Sequence, residues 1–169
     1  MRKGGTGGAK TNETGLKFEK DTSLAEALIR AGFEIRDLEI LMNGKHSGLM
    51  LGQHKLYRFL DAEKVDWKNI VSKKLLPDEA VLSSRSKQLT IVEKKWQQTQ
   101  GSVDEKLQTC GFKIRQYKKL MAPIGINVKF IYLLSDWFSD PSYADVLDYI
   151  KEVGADYHFK SLPLELLDL

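Results

Sequence analysis

Cysteine is almost missing from this chain. Cys110 stands alone among 169 residues, so no intrachain disulfide forms and no metal site built on several thiolates is possible. The lone thiol reads as a small buried packing residue. Long apolar runs are missing too: no segment approaches the roughly 18 uninterrupted apolar residues that cross a bilayer. The basic start, Met1-Arg2-Lys3, leads into glycines and not into the apolar stretch of a secretory leader, so the expected location is cytoplasmic with no membrane partner. Disorder along the whole chain is excluded, because 42% of the residues are hydrophobic and 29% charged. The length suits one domain.

Net charge is only +3, yet it is unevenly spread. Between Ser84 and Lys119 there are nine Lys/Arg against Glu93, Asp104 and Glu105, whereas between Asp136 and Leu169 eight acids face Lys151 and Lys160. A basic middle beside an acidic end fits a polyanion laid across one side of the molecule. Solvated helix faces of differing sign would give the same tally. Residues 1–13 read as a flexible basic arm in which Lys10 is placed to touch a phosphate, and residues 14–169 as a single domain. The string Gly5-Thr6-Gly7-Gly8-Ala9-Lys10-Thr11 lacks the glycine before the lysine and the preceding buried strand that a phosphate-binding loop needs.

Periodicity orders the remainder. Leu16, Leu24, Ala27, Leu28 and Ala31 follow helical spacing and Gly32 stands where a helix stops, which predicts one helix. Phe33 to Leu41 is a candidate strand, Asn43-Gly44 a turn, and Lys45 to Gln53 loop-like. Leu56, Phe59, Leu60 and Glu63 predict a short helix. Ala80–Leu82 and Leu89–Val92 flank a polar, turn-prone stretch and read as a β-hairpin. Ser102 with Glu105 has the form of a capping box. The helix it opens is expected to break near Gly111 and resume to Met121, before Pro123 and Gly125 end it. Ile126 to Leu134 reads as a buried central strand. Asp140-Pro141 opens a last helix, and Tyr157–Phe159 is a candidate final strand. The result is an α/β domain, a small mixed central sheet flanked by helices.

Hairpin symmetry carries the chemistry. If the turn is centred between Arg85 and Ser86, then Asp78 lies opposite Glu93, and Lys95 points the same way as Glu93 because strand residues alternate faces. Two adjacent carboxylates repel unless a cation or a proton lies between them. Mg2+ is the natural candidate, since it takes oxygen ligands from one or two carboxylates and leaves room for water and a substrate phosphate. Such an ion polarises a phosphoryl oxygen and helps to ionise an attacking water, while a neighbouring lysine stabilises the charge that builds on the phosphoryl group. On these three residues alone, a solvated acid pair with a pairing lysine is the stronger reading. Glu93 and Lys95 extend straight out of an apolar run, as if a buried strand carried charge to the edge of a cleft.

Pro77-Asp78, fourteen intervening residues and then Glu93-Lys94-Lys95 resembles the signature of the PD-(D/E)XK nuclease superfamily, to which many restriction endonucleases belong. The order of elements from Leu16 to Leu134 is similar to that family's αβββαβ core. Glu93-Lys94-Lys95-Trp96-Gln97-Gln98, followed by Gly101-Ser102 and Glu105-Lys106, looks like a restriction-type subset. The resemblance implies Asp78 and Glu93 as metal ligands, the backbone carbonyl of Lys94 as a third, and Lys95 as the catalytic lysine. It also makes Glu19, on the first helix, an additional acid at the metal, although an exposed acid near a helix start, favoured by the helix dipole, is as good a reading. Glu79 belongs to the opposite strand face and is a weaker ligand candidate. Lys94, Gln97 and Gln98 are placed to meet DNA, although either glutamine would also cap the loop that follows; Trp96 is expected in the core.

The function expected from the resemblance is a Mg2+-dependent, sequence-specific endonuclease on double-stranded DNA, a Type II restriction enzyme or its catalytic subunit. Such an enzyme is expected as a homodimer or with a separate recognition subunit. Two alternatives stay open at this point: a repair or junction-resolving nuclease on the same core, and a catalytically silent DNA-binding module.

Overall fold

The computed structural model describes residues 7–98 and 103–169. Its first helix, α1 (Gly7–Asp21), takes in residues 7–13 of the expected arm, whereas residues 1–6 lie outside the described residues. The single predicted helix is in fact two. The Thr22 hydroxyl donates back to the Phe18 carbonyl at 2.6 Å, and the Ser23 side chain accepts from Glu26 N at 3.3 Å and caps α2 (Leu24–Arg30). Hydroxyls that bond to nearby backbone compete with the helical ladder, which is why the chain turns there.

Residues 33–50 form three strands where one strand and a loop were expected. β1 (Phe33–Arg36), β2 (Glu39–Met42) and β3 (Lys45–Met50) make an antiparallel meander. Its turns rest on left-handed residues: Asp37 at φ 54°, then Asn43 and Gly44 at 51° and 75°. Paired positive φ values suit the right-handed twist of a tight hairpin. Lys45-His46-Ser47-Gly48 is too polar to signal a strand, and its conformation comes from pairing with β2, joined from Gly48 onward by residues 81–83.

Beyond α3 (Lys55–Ala62) and α4 (Trp67–Ile70) comes the hairpin of β4 (Glu79–Ser83) and β5 (Gln88–Lys95). Two crossovers follow. α5 (Val103–Leu107) and α6 (Cys110–Met121) lead to β6 (Asn127–Leu134), parallel to β5, and α7 (Ala144–Glu152) leads to β7 (Asp156–Phe159), parallel to β6. The expected break at Gly111 falls earlier, at Gln108-Thr109, where the Thr109 hydroxyl donates to the Lys106 carbonyl at 2.7 Å. Ser102, the proposed cap, lies outside the described residues. Asp140 accepts from Ser142 N at 2.9 Å as expected of a cap, although a 3-10 turn over Pro141–Tyr143 precedes α7.

The seven strands lie in sequence order, antiparallel from β1 to β5 and parallel from β5 to β7. Both faces of the central strands are covered. On one, Leu89, Ile91, Phe130 and Tyr132 pack with Leu56 and Leu60 of α3, Ile114, Tyr117 and Leu120 of α6, and the buried Cys110. On the other, Val81, Val92, Ile131 and Leu133 pack with Leu24 and Leu28 of α2 and with Leu162 and Leu167 near the C-terminus. Every residue of β4 and β5 therefore has a defined side, and charged residues at their ends inherit it.

Gly48 permits a close approach between β3 and β4. A methyl group there would overlap the Leu82 carbonyl of β4 and lie 2.7 Å from the Leu169 side chain. Gly48→Ala is expected to cost about 1–3 kcal/mol of stability through overpacking. Urea denaturation reads this directly, and an unchanged midpoint would show that the backbone yields without cost.

Candidate active site

The hairpin register pairs Glu79 with Val92 and Ala80 with Ile91, and one step further along the same register sets Asp78 opposite Glu93. Asp78, Glu93 and Lys95 share the face of Leu89 and Ile91, looking toward α6. The Asp78 carboxylate is pinned by Lys94 N, which donates to its Oδ2 at 2.8 Å. Lys95 Nζ lies 3.1 Å from Glu93 Oε2 and 3.6 Å from Asp78 Oδ2, and donates to the Lys94 carbonyl at 3.0 Å. Three oxygens from two strands thus converge on one ammonium. Glu93 is 5% exposed at its side chain and Asp78 39%, so the group opens outward on the Asp78 side.

The approach to Asp78 is fixed from α3 and the turn before it. Gln53 N donates to the Pro77 carbonyl at 2.8 Å, and Leu75 N donates to the Tyr57 hydroxyl at 2.8 Å. Gly52 stands so close that a Cβ would be 3.1 Å from the Asp78 carbonyl and 3.3 Å from Glu79 Cα. β5 and β6 run parallel and end side by side at Lys95 and Leu134. Past those ends lies a cleft lined by Phe18, Trp96, Gln97, Gln98, Ser135 and Trp137, at the carboxyl edge where parallel strands commonly form binding sites.

Glu79 and Lys94 occupy the opposite face. Glu79 accepts from Leu24 N at 3.1 and 3.2 Å and pairs with Lys94 Nζ at 3.1 Å. Burial pushes its carboxyl above the ordinary range, and the Lys94 ammonium opposes that rise. Lys94 Nζ also donates to the Glu19 carbonyl at 3.3 Å and is only 9% exposed. This corrects the expectation that the Lys94 side chain meets DNA: its carbonyl faces the acid pair, while its ammonium ties α1 and α2 to the sheet. Glu19 is exposed and lines a cleft with Gly15, Phe18, Lys95, Trp96 and Lys106. It does not join the acid pair, because no group of three acid, His or Cys side chains among the described residues gathers at metal-binding range. Trp96 is half-buried and lines both clefts instead of filling the core. Gln97 is buried and Gln98 exposed; the Lys10 side chain lies outside the described residues.

Two groups at the site were missed. Lys113 on α6 donates to Glu93 Oε2 at 2.7 Å. Tyr117, one turn further along the same face, has a fully buried hydroxyl with no hydrogen-bond partner. Burial drives its phenol far above the ordinary range, and the negative charges of Glu93 and Asp78 drive it further. The signal was present: the apolar stripe Cys110, Ile114, Tyr117 and Met121 leaves Lys113 at its border.

A family model described as the PD-(D/E)XK nuclease superfamily domain matches residues 17–121, a span containing Asp78, Glu93, Lys95 and α6. The chain belongs to the PD-(D/E)XK nuclease superfamily. No curated protein and no solved structure matches it. The mixed sheet flanked by helices is that of a restriction-endonuclease-like fold, and among the described residues no helix is long and apolar enough to cross a membrane. Nucleases of this superfamily typically use divalent metals, and the donors here fit one. Asp78 Oδ2, Glu93 Oε2 and the Lys94 carbonyl are hard oxygens that already gather around a cation. With only two carboxylates, water and substrate phosphate would fill the remaining positions around a hard divalent cation.

The division between the two faces has a measurable consequence. Glu79→Ala leaves the Lys94 ammonium buried without its carboxylate and frees the start of α2, at a cost of about 3 kcal/mol. Chemical denaturation of the variant measures this. A loss below about 1 kcal/mol, the range of an exposed pair, would contradict a buried anchoring role.

Proposed function

We propose that this nuclease is a Mg2+-dependent, sequence-specific endonuclease on double-stranded DNA, a restriction enzyme or its catalytic subunit, acting in the cytoplasm. The observation that carries the reading is the convergence of Asp78, Glu93 and the Lys94 carbonyl on the Lys95 ammonium, which itself lines the cleft with Glu19, Trp96 and Lys106. When bound, the metal supplies electrostatic stabilisation of the phosphoryl group and helps to ionise water. Asp78 and Glu93 hold the ion's charge. Lys95, freed from their oxygens, donates to a non-bridging phosphate oxygen or orients the attacking water.

Charge supports DNA as the substrate. Arg115, Lys118 and Lys119 are exposed along α6, and Lys74 lies 4.5 Å from the Trp67 ring centre and 4.9 Å from that of Tyr57. Tyr57 is buried, but basic side chains beside the partly exposed Trp67 suit a phosphate backbone. One domain carries one such centre, so cutting both strands calls for two copies, as a homodimer or beside a separate recognition subunit.

Digestion of a sequenced plasmid with and without Mg2+ tests the reading. Discrete bands that require the metal are expected. Cutting confined to branched DNA would replace it with a junction-resolving nuclease, and binding without any cutting would replace it with a silent module. Lys95→Ala is expected to lower kcat by about 10²–10³-fold while DNA affinity stays within a few fold; undiminished cleavage would remove Lys95 from its role. Affinity should also fall steeply between low and moderate salt as phosphate counterions are released. A flat salt response, read by fluorescence anisotropy, would contradict the basic-face argument.

A further inference from the structure

We propose that Lys113 is a second lysine of the cutting centre: it neutralises Glu93 while no metal is bound, and moves to a DNA phosphate oxygen once the metal takes its place. The inference rests on the Mg2+-dependent reading above and adds a residue to it.

A carboxylate as buried as Glu93 is costly unless a cation meets it. Two do, and at the same oxygen: Lys113 Nζ at 2.7 Å and Lys95 Nζ at 3.1 Å from Oε2. Their situations differ. Lys95 grows from the same strand as Glu93 and divides its charge among Glu93, Asp78 and the Lys94 carbonyl. Lys113 reaches in from α6, across the layer, and pairs with no other acid among the described residues. Its side chain is 24% exposed against 5% for Glu93, so one end of it is already in solvent.

Charge counting then dictates movement. Two carboxylates and two ammonium groups sum to zero, a balanced arrangement without metal. A divalent cation bound at Glu93 Oε2 would face an ammonium occupying its own ligand, and that contact has to open. Lys95 yields these oxygens too but stays beside them on its strand, whereas Lys113, with a single acid partner and a stem rooted on α6, is the one able to swing away. The incoming phosphodiester supplies the negative charge for it to meet. A second observation points the same way: the Tyr117 hydroxyl, one turn along the same helix face, is fully buried and without a partner. A buried O–H donor with nothing to donate to is out of place in a closed core.

The test is Mg2+ binding by titration calorimetry on the intact chain without DNA, paired with cleavage rates, for the wild type, Lys113→Met and Lys113→Arg. Removal of the competing ammonium is expected to tighten Mg2+ binding by about tenfold in Lys113→Met, while kcat falls by about 10²-fold. Lys113→Arg is expected to recover much of the rate and to bind Mg2+ as the wild type does. Opposite signs for metal affinity and rate distinguish this role from a structural one. If Lys113→Met binds Mg2+ no more tightly than the wild type, or cuts as fast, the inference is overturned while the Mg2+-dependent reading stands. If the wild type neither binds Mg2+ nor cuts, that reading fails and takes the inference with it.

Discussion

Repulsion between Asp78 and Glu93 is the constraint around which this molecule is arranged. The hairpin register sets the two carboxylates on adjacent strands and on the same face, one of them almost wholly buried. Charges so placed demand a cation. Without metal the protein provides its own, drawing Lys95 from the strand and Lys113 from the helix above. On the reading proposed above, a metal ion would exchange with these side chains and each displaced lysine would become available to a phosphate, so that binding the ion and readying the substrate contacts would be one event.

The sheet makes this possible by keeping two kinds of charge apart. β4 and β5 are buried on both sides, so alternation assigns Asp78, Glu93 and Lys95 to the α6 side and Glu79 and Lys94 to the α2 side. The Glu79–Lys94 pair bonds to Leu24 N and the Glu19 carbonyl, holding the helical layer in place. Adjacent residues within Asp78-Glu79 and within Glu93-Lys94-Lys95 are thus sorted onto opposite sides of the sheet by parity alone. The tight approach of Gly52 to Asp78 and the Tyr57–Leu75 bond fix the remaining entry to the site.

Much of this was legible in the sequence because strand parity and hairpin symmetry are local rules. The pairing of Asp78 with Glu93 followed from a turn centred between Arg85 and Ser86, and the buried strand at Ile126–Leu134 followed from its β-branched and aromatic run. What escaped depended on tertiary partners. Lys45–Met50 is polar and becomes a strand through its neighbours on both edges, and Asp37 turns left-handed without the glycine that would announce it. Lys94 was assigned to DNA because its burial is set by Glu79 and by a helix carbonyl distant in sequence. Lys113 escaped because its partner lies twenty residues away across a layer boundary, although its place at the edge of an apolar helical stripe was visible.

On the reading proposed above, Asp78, Glu93 and the Lys94 carbonyl form a divalent cation site that Lys95 and Lys113 hold until the ion arrives. Anomalous diffraction from crystals soaked in Mn2+ tests it most directly. The expected result is a single strong peak in contact with Asp78 Oδ2, Glu93 Oε2 and the Lys94 carbonyl, with the Lys95 and Lys113 ammonium groups withdrawn from those oxygens. Mn2+ located elsewhere, or no peak with both lysines still paired to Glu93, would contradict it.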